Sequence, residues 1–362
     1  MKRQPPQNQF KLNIFNYVCI RKTMDNGKKT RDGSIDVLRS IGLLCIVLAH
    51  VVPPNWLFQI RNFDVPLMVF ISGYLYAGRA NQIQSFTSLL DYLGKRFVRL
   101  VVPVWIFLSL FYLIQYCFPS VFPINYTLFP DVMRSSYLLL EGFGYVWIIR
   151  VFLMMAILGP LSMVYFKKPI SILYYYISYE VVYLLVQPYL GDGIGKQFNE
   201  ILLYTAGFLV FFLLGSTYTS LTKSAKTILF TVTIALTALG GLYFYLYENV
   251  AFNIGSFKYP PRLFYMYYAV AICLFLFHLR PWLAPFNNRL ITFIGSSTIW
   301  IYLWHILLLL ILPIENWGIR FLVVFMLAST LTYVQQYLVE MFIRLSGCSS
   351  AVSKQLRIIF CS

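Results

Sequence analysis

Charge is what this sequence has least of. Only 12% of its residues are Asp, Glu, Lys or Arg, against 59% hydrophobic. Soluble domains run at roughly half apolar and about a quarter charged, so a water-solvated fold is excluded and the chain belongs in lipid. Acidic residues are the scarcer sign, 13 against 29 basic, for a net charge of +16. The basic residues sit in short segments between apolar runs, where they orient helices, so no nucleic-acid partner follows from them. The six cysteines, Cys19, Cys45, Cys117, Cys273, Cys348 and Cys361, show no CxxC or Cys/His spacing. They imply neither a disulfide framework nor a metal site. Residues 1–33 lack the run of about twenty apolar residues that crossing a bilayer requires, and read as a basic cytoplasmic tail with no cleavable signal. Met24 opens a polar lead directly before the first apolar run and is an alternative start.

What the sequence does have is apolar stretches of spanning length. Ten are counted, near 35–53, 63–78, 97–118, 145–166, 169–189, 199–220, 225–247, 261–279, 289–313 and 317–343. The expected fold is an all-α integral membrane protein, a bundle of about ten transmembrane helices over residues 34–345, with a short cytoplasmic tail at 346–362. With both termini in the cytoplasm, 21 lysines and arginines fall inside and 6 outside, Arg39 and Arg150 lying within spans. The longest outer segment, 119–144, is too short for a separate soluble domain, so function lies within the bundle.

Ionisable groups inside a bilayer cost a few kcal/mol, so they face the protein interior or water and are functional candidates. In the first span Asp36, Arg39 and His50 interrupt the apolar run. Eleven positions separate Arg39 from His50, three turns plus about 20°, so both project from one face about 16 Å apart. Asp36 lies one turn before Arg39 and can pair with it. A guanidinium presents a planar fork of donors suited to phosphate, and an imidazole transfers protons near neutrality. The same two residues also suit a positive-inside anchor and an interfacial histidine. In the ninth span His305 follows Tyr302 and Trp304, so two histidines can converge at one depth. His278, beside Arg280, is read as interfacial.

The second span places Ser72 and Gly73 near mid-membrane. Gly73 permits close approach of a helix or a ligand, and Ser72, with Tyr74 two residues on, can line a cavity and orient an acyl carbonyl or acceptor. At the start of the third span Arg96 and Arg99 lie one turn apart on one helix face, a phosphate clamp or a membrane anchor. Trp147 with Arg150, Glu180 among tyrosines, and Tyr259 before Pro260-Pro261-Arg262 join aromatics to polar groups. Such rings stack on sugars, and they also populate interfacial belts.

In order along the chain these elements resemble the acyltransferase-3 family of multi-pass membrane O-acyltransferases, over about residues 34–345. The most specific is the first-span Asp36, Arg39 and His50, an Arg and a His with ten residues between them. Phe70-Ile71-Ser72-Gly73-Tyr74, Arg96-Phe97-Val98-Arg99 with Pro103, the Trp147 segment, Tyr259-Pro260-Pro261, and Gly295-Ser296-Ser297 through Tyr302-Leu303-Trp304-His305 follow. The family often has Asn where this chain has Ser296, and more aromatics before the Ser-Gly than Met68-Val69 supply. The resemblance implies a donor acyl-CoA, acetyl-CoA first, used from the cytoplasmic side and not tightly bound as a cofactor. It further implies a carbohydrate acceptor at the outer face, residence in a bacterial cytoplasmic membrane, and polysaccharide assembly machinery as a class of partner. His50 is then the general base, or the residue acylated in a covalent variant, with Arg39, Arg96 and Arg99 on the CoA phosphates and His305, Tyr302 or Ser72 facing the oxyanion. Asp36 would hold Arg39 in register. The rival reading is a transporter or flippase for a lipid-linked sugar or polysaccharide, since buried charges also line transport paths. No inverted repeat between the halves supports it.

Overall fold

The structure, a computed structural model, describes residues 32–361 apart from 79–82, 84, 141, 164, 167, 192 and 248–252. Residues 1–31 of the basic tail, Met24 among them, and Arg79 and Lys167 lie outside the described residues. Sixteen α-helices are formed among those described. The first eight are α1 Gly33–His50, α2 Asn55–Ile60, α3 Asp64–Ala77, α4 Phe86–Cys117, α5 Pro130–Tyr137, α6 Trp147–Ser162, α7 Pro169–Val186 and α8 Gly193–Phe198. The second eight are α9 Tyr204–Thr217, α10 Lys223–Tyr247, α11 Leu263–His278, α12 Arg280–Leu283, α13 Arg289–Ser296, α14 Thr298–Ile311, α15 Trp317–Leu345 and α16 Ser350–Phe360.

Each of the ten apolar stretches has a helical counterpart, but fewer are straight spans. Among the described residues six helices are long and apolar enough to cross a membrane, and eight if each of two bent pairs counts as one. The count of ten is therefore corrected to six to eight. The two that fall short are α3, with 14 residues, and α6, with 16; at 1.5 Å per residue neither covers a hydrocarbon core of about 30 Å. The bent pairs are α11–α12, angled by 60°, and α13–α14, angled by 78°. The second break falls at Gly295-Ser296-Ser297-Thr298, a run of small and polar residues that interrupts the apolar stretch.

The shortness of α3 follows from its place at the centre. Val65, Leu67, Val69, Phe70 and Ile71 are almost wholly buried, so it is apolar all round, as a helix wrapped by others must be. It crosses α9 at backbone contact. A Cβ on Gly73 would run into the Phe212 carbonyl, and one on Gly215 into the Phe70 carbonyl, so each helix supplies the glycine that admits the other. Of the two readings of Gly73, helix approach is the one realised.

At the start of α1, Asp32 caps the helix by accepting from the Ser34 amide at 3.0 Å and pairs with Arg280 of α12. Burial would raise the Asp32 carboxyl, but Ser34 and Arg280 outweigh it and hold the group below the usual range. At the other end of the chain, residues 350–360 do not trail away. Helix α16 folds back on α4 and α15, with Arg357 forking onto Glu340 at 2.7 and 2.9 Å and Trp300 Nε1 of α14 donating to the Ile359 carbonyl at 2.7 Å.

Candidate functional site

Helix α1 carries Arg39 on the wall of a cavity and ends in His50, on a helix whose surface is otherwise largely buried. The cavity, of about 110 Å³, is lined from α1 by Arg39, Leu43 and Ile46, from α3 by Met68 and Ser72, and from α4 by Tyr92, Arg96, Arg99 and Leu100. The far wall is apolar, Ile148, Ile149, Phe152, Met155 and Ala156 of α6, and Thr298, Ile299 and Tyr302 of α14 close it. Pockets for drug-sized ligands run to roughly 300–1,000 Å³, so this space is narrow by comparison. Three arginines from two helices, Arg39 of α1 and Arg96 and Arg99 of α4, line the one cavity. Arg96 also lies over the Tyr92 ring, 5.2 Å from its centroid. Arg39, Arg96, Arg99, Ser72 and Tyr302, picked from four separate segments, are thus brought to one cavity.

Ser72 spends its hydroxyl proton on the Met68 carbonyl, 2.9 Å away. Asp36 is buried in the first turns of α1, beneath Gly295 of α13, where a Cβ would stand 2.5 Å from the Asp36 carbonyl oxygen. That close approach is what the small residue before the helix break provides.

His50 ends α1, one turn beyond Ile46. Its Nδ1 is 3.1 Å from Nε2 of His305, so the convergence of two histidines at one depth is realised as direct contact. His305 is wholly buried, and its Nδ1 faces the Tyr302 carbonyl on its own helix. Tyr145 packs edge-on to His50, ring centroids 5.2 Å apart, and Tyr302 stands 6.5 Å away. The Tyr302 hydroxyl donates to the Tyr145 carbonyl at 2.6 Å. Its proton is therefore already committed, which counts against Tyr302 as an oxyanion donor in this arrangement. Tyr302 is the shared wall, lining the arginine cavity on one side and packing on the histidine pair on the other.

A second cluster was not foreseen. Asp64, at the start of α3, accepts from Arg61 Nη1 at 2.7 Å and from Lys258 Nζ at 3.2 Å, and these three residues are only 2%, 4% and 4% exposed. The segment that carries Arg61 packs on α1, the helix that ends in His50. By sequence Arg61 and Lys258 are two of the six basic residues assigned to outer segments. The signal that would have found them is Asp64, an acid three residues after Arg61 inside the second apolar run, which is the kind of group a membrane makes expensive.

Other candidates stand apart from the cavity. Arg150 is buried and donates to the carbonyls of Leu139 at 3.3 Å and Glu200 at 3.0 Å, satisfying backbone groups of two connecting segments. Tyr74 turns away from Ser72, toward Phe277, Tyr218 and the Arg280 guanidinium, which lies 4.7 Å from its ring centroid. Trp147 meets Tyr259 edge-on at 5.1 Å, and Tyr259 stacks on Tyr204 at 5.4 Å, an aromatic group whose fourth neighbour is the Lys258 ammonium. Glu180 accepts from Tyr176 at 2.8 Å and from Arg262 at 2.9 Å, fastening α7 to the segment before α11. Among the described residues no group of three His, Cys, Asp or Glu could hold a metal ion.

Against known proteins, a family model described as an acyltransferase domain, that of the acyltransferase 3 family, matches residues 32–346. No curated protein and no solved structure matches. The matched region takes in the arginine cavity, the histidine pair and the buried Arg61–Asp64–Lys258 cluster, and by a match over most of its length this multi-pass membrane protein belongs to the acyltransferase 3 family.

Proposed function

We propose that the protein moves an acyl group, acetyl in the first instance, from acyl-CoA to a hydroxyl of a cell-envelope or exopolysaccharide carbohydrate. Family membership supports the acyl-transfer chemistry. The observation that carries the rest is the single cavity lined by Arg39, Arg96 and Arg99, with His50 one helical turn past its last α1 residue. In this reading the arginines take the CoA phosphates through charge-assisted hydrogen bonds. The thin pantetheine arm lies along the apolar wall of α6. The chain sits in the bacterial cytoplasmic membrane with both termini and the arginine end in the cytoplasm.

His50 removes the proton of the acceptor hydroxyl as its oxygen attacks the thioester carbonyl. The carbon–oxygen bond forms, the carbon–sulfur bond breaks, and the proton held by His50 passes to the departing CoA thiolate. Trp147, Tyr204 and Tyr259 offer ring faces on which a sugar stacks. Cells expressing wild-type or His50→Ala protein at equal membrane abundance test this reading through the base-labile acyl ester content of their envelope glycans. Esters that depend on His50 are expected. Equal ester content with the alanine variant would overturn the reading.

A further inference from the structure

The histidine pair has a direction, and the hydrogen-bond inventory of its members fixes it. A backbone carbonyl can only accept. His305 Nδ1 faces the Tyr302 carbonyl, so Nδ1 carries the proton. In the neutral ring Nε2 is then bare, and Nε2 is the atom 3.1 Å from His50 Nδ1. That contact is a hydrogen bond only if His50 Nδ1 is the donor, which places the His50 lone pair on Nε2, pointing away from His305.

The alternative, a doubly protonated His305 donating to His50, would set an imidazolium in a wholly buried position. The segment Arg61–Phe63 packs on α1, and the buried cluster that Arg61 forms with Asp64 and Lys258 already sums to +1. A further cation there has no counter-charge, and an uncompensated buried charge is among the costliest arrangements a protein can hold. The pair is neutral, with one proton on each ring.

We propose that His305 is a positioning residue: its bare Nε2 holds the Nδ1 proton of His50 and so presents His50 Nε2 as the atom that removes the acceptor's proton. This rests on the acyl-transfer reading above and revises the expectation that His305 faces the oxyanion, since its ring has no donor left to offer. The arrangement has the logic of a base whose tautomer is set by a third group, with a carbonyl-bound imidazole where a carboxylate is more usual. Its framework is built for the task. The 78° break at Ser297 turns α14 so that Tyr302 and His305 meet the end of α1. Gln336 of α15 holds the break by donating to Ser297 Oγ at 2.8 Å, and Tyr145 packs edge-on to the His50 ring.

The full chain in lipid nanodiscs tests this in two ways. With only three histidines in the sequence, ¹⁵N-histidine labelling gives a spectrum assignable by single substitutions. His50 is expected as the Nδ1–H tautomer in wild type and as a tautomer mixture in His305→Ala. In turnover, His305→Ala lowers kcat by about 10²-fold, within the range general-base catalysis commands, with KM for acetyl-CoA within threefold. His305→Gln, whose carbonyl can accept the Nδ1 proton, recovers at least tenfold of that loss. A wild-type spectrum with His50 as the Nε2–H tautomer, or His305→Ala turning over within twofold of wild type, would overturn the proposal. Persistence of turnover in His50→Ala would instead sink the acyl-transfer mechanism itself, so the two failures are distinct.

Discussion

Replacing Asp64 with Asn leaves the shape of the buried cluster and removes its only anion. The carboxylate is 2.7 Å from the Arg61 guanidinium and 3.2 Å from the Lys258 ammonium. At an effective dielectric near 20 those contacts are worth roughly 6 and 5 kcal/mol before desolvation is counted. Desolvating three ions offsets most of that gain, so the net worth of the cluster is small. Breaking it is a different matter, because two cations then remain in sites 4% exposed each, and stranding a buried charge in this way costs about 3–5 kcal/mol. Lys258→Met alone leaves the neutral Arg61–Asp64 pair and costs about 1–3 kcal/mol for the lost charged hydrogen bond. The double variant has one unpaired cation rather than two, so its loss falls short of the sum of the single losses by about 1 kcal/mol or more. Reversible unfolding of the full chain in mixed micelles, followed by tryptophan fluorescence, gives these differences. Asp64→Asn within 0.5 kcal/mol of wild type, or additivity across the cycle, would refute the claim that the three form one coupled unit held by the Asp64 carboxylate.

Gly73→Ala drives a Cβ into the Phe212 carbonyl, a backbone clash that α3 and α9 can relieve only by separating; the expected loss is about 1–3 kcal/mol in the same unfolding assay. Arg96→Ala together with Arg99→Ala removes two cavity-lining cations. At about 1.5–3 kcal/mol for each charged hydrogen bond, this raises KM for acetyl-CoA tenfold or more while kcat changes little, as steady-state kinetics would show. Tyr302→Phe loses the 2.6 Å bond to the Tyr145 carbonyl, worth about 1 kcal/mol of stability. It retains most of kcat, whereas a hydroxyl donating to the oxyanion would cost about 10²-fold or more on removal.

The stripe on α1 was legible because helical geometry within one segment is fixed: Arg39 and His50 are three turns apart whatever surrounds them. Arg96 and Arg99 were equally readable as one face of α4. Which neighbour each face meets was only partly readable, since hydropathy gives depth and not rotation about a helix axis. Depth alone suggested that His305 meets His50, but Tyr74, two residues from Ser72, was grouped with it although 200° of helical rotation sends it toward Arg280. Arg150 is expensive in a membrane by sequence, and its burial against the Leu139 and Glu200 carbonyls is a packing use that hydropathy cannot tell from a substrate contact. The span count failed at α3 and α6 for a related reason. A helix buried by protein on all sides is as apolar as one buried by lipid, so composition cannot show that it is too short to cross. Arg61 and Lys258 went unseen because counting basic residues for orientation treats every loop charge as solvated, while these two are drawn inside by Asp64.

The most direct measurement is CoA thiol release from acetyl-CoA by the purified chain in nanodiscs, with envelope glycan as acceptor, comparing wild type with His50→Ala. Glycan-dependent release by wild type that falls by at least 10²-fold in the alanine variant, both proteins being equally folded, is the predicted result. Release at the same rate from both would contradict the assignment of the base to the end of α1.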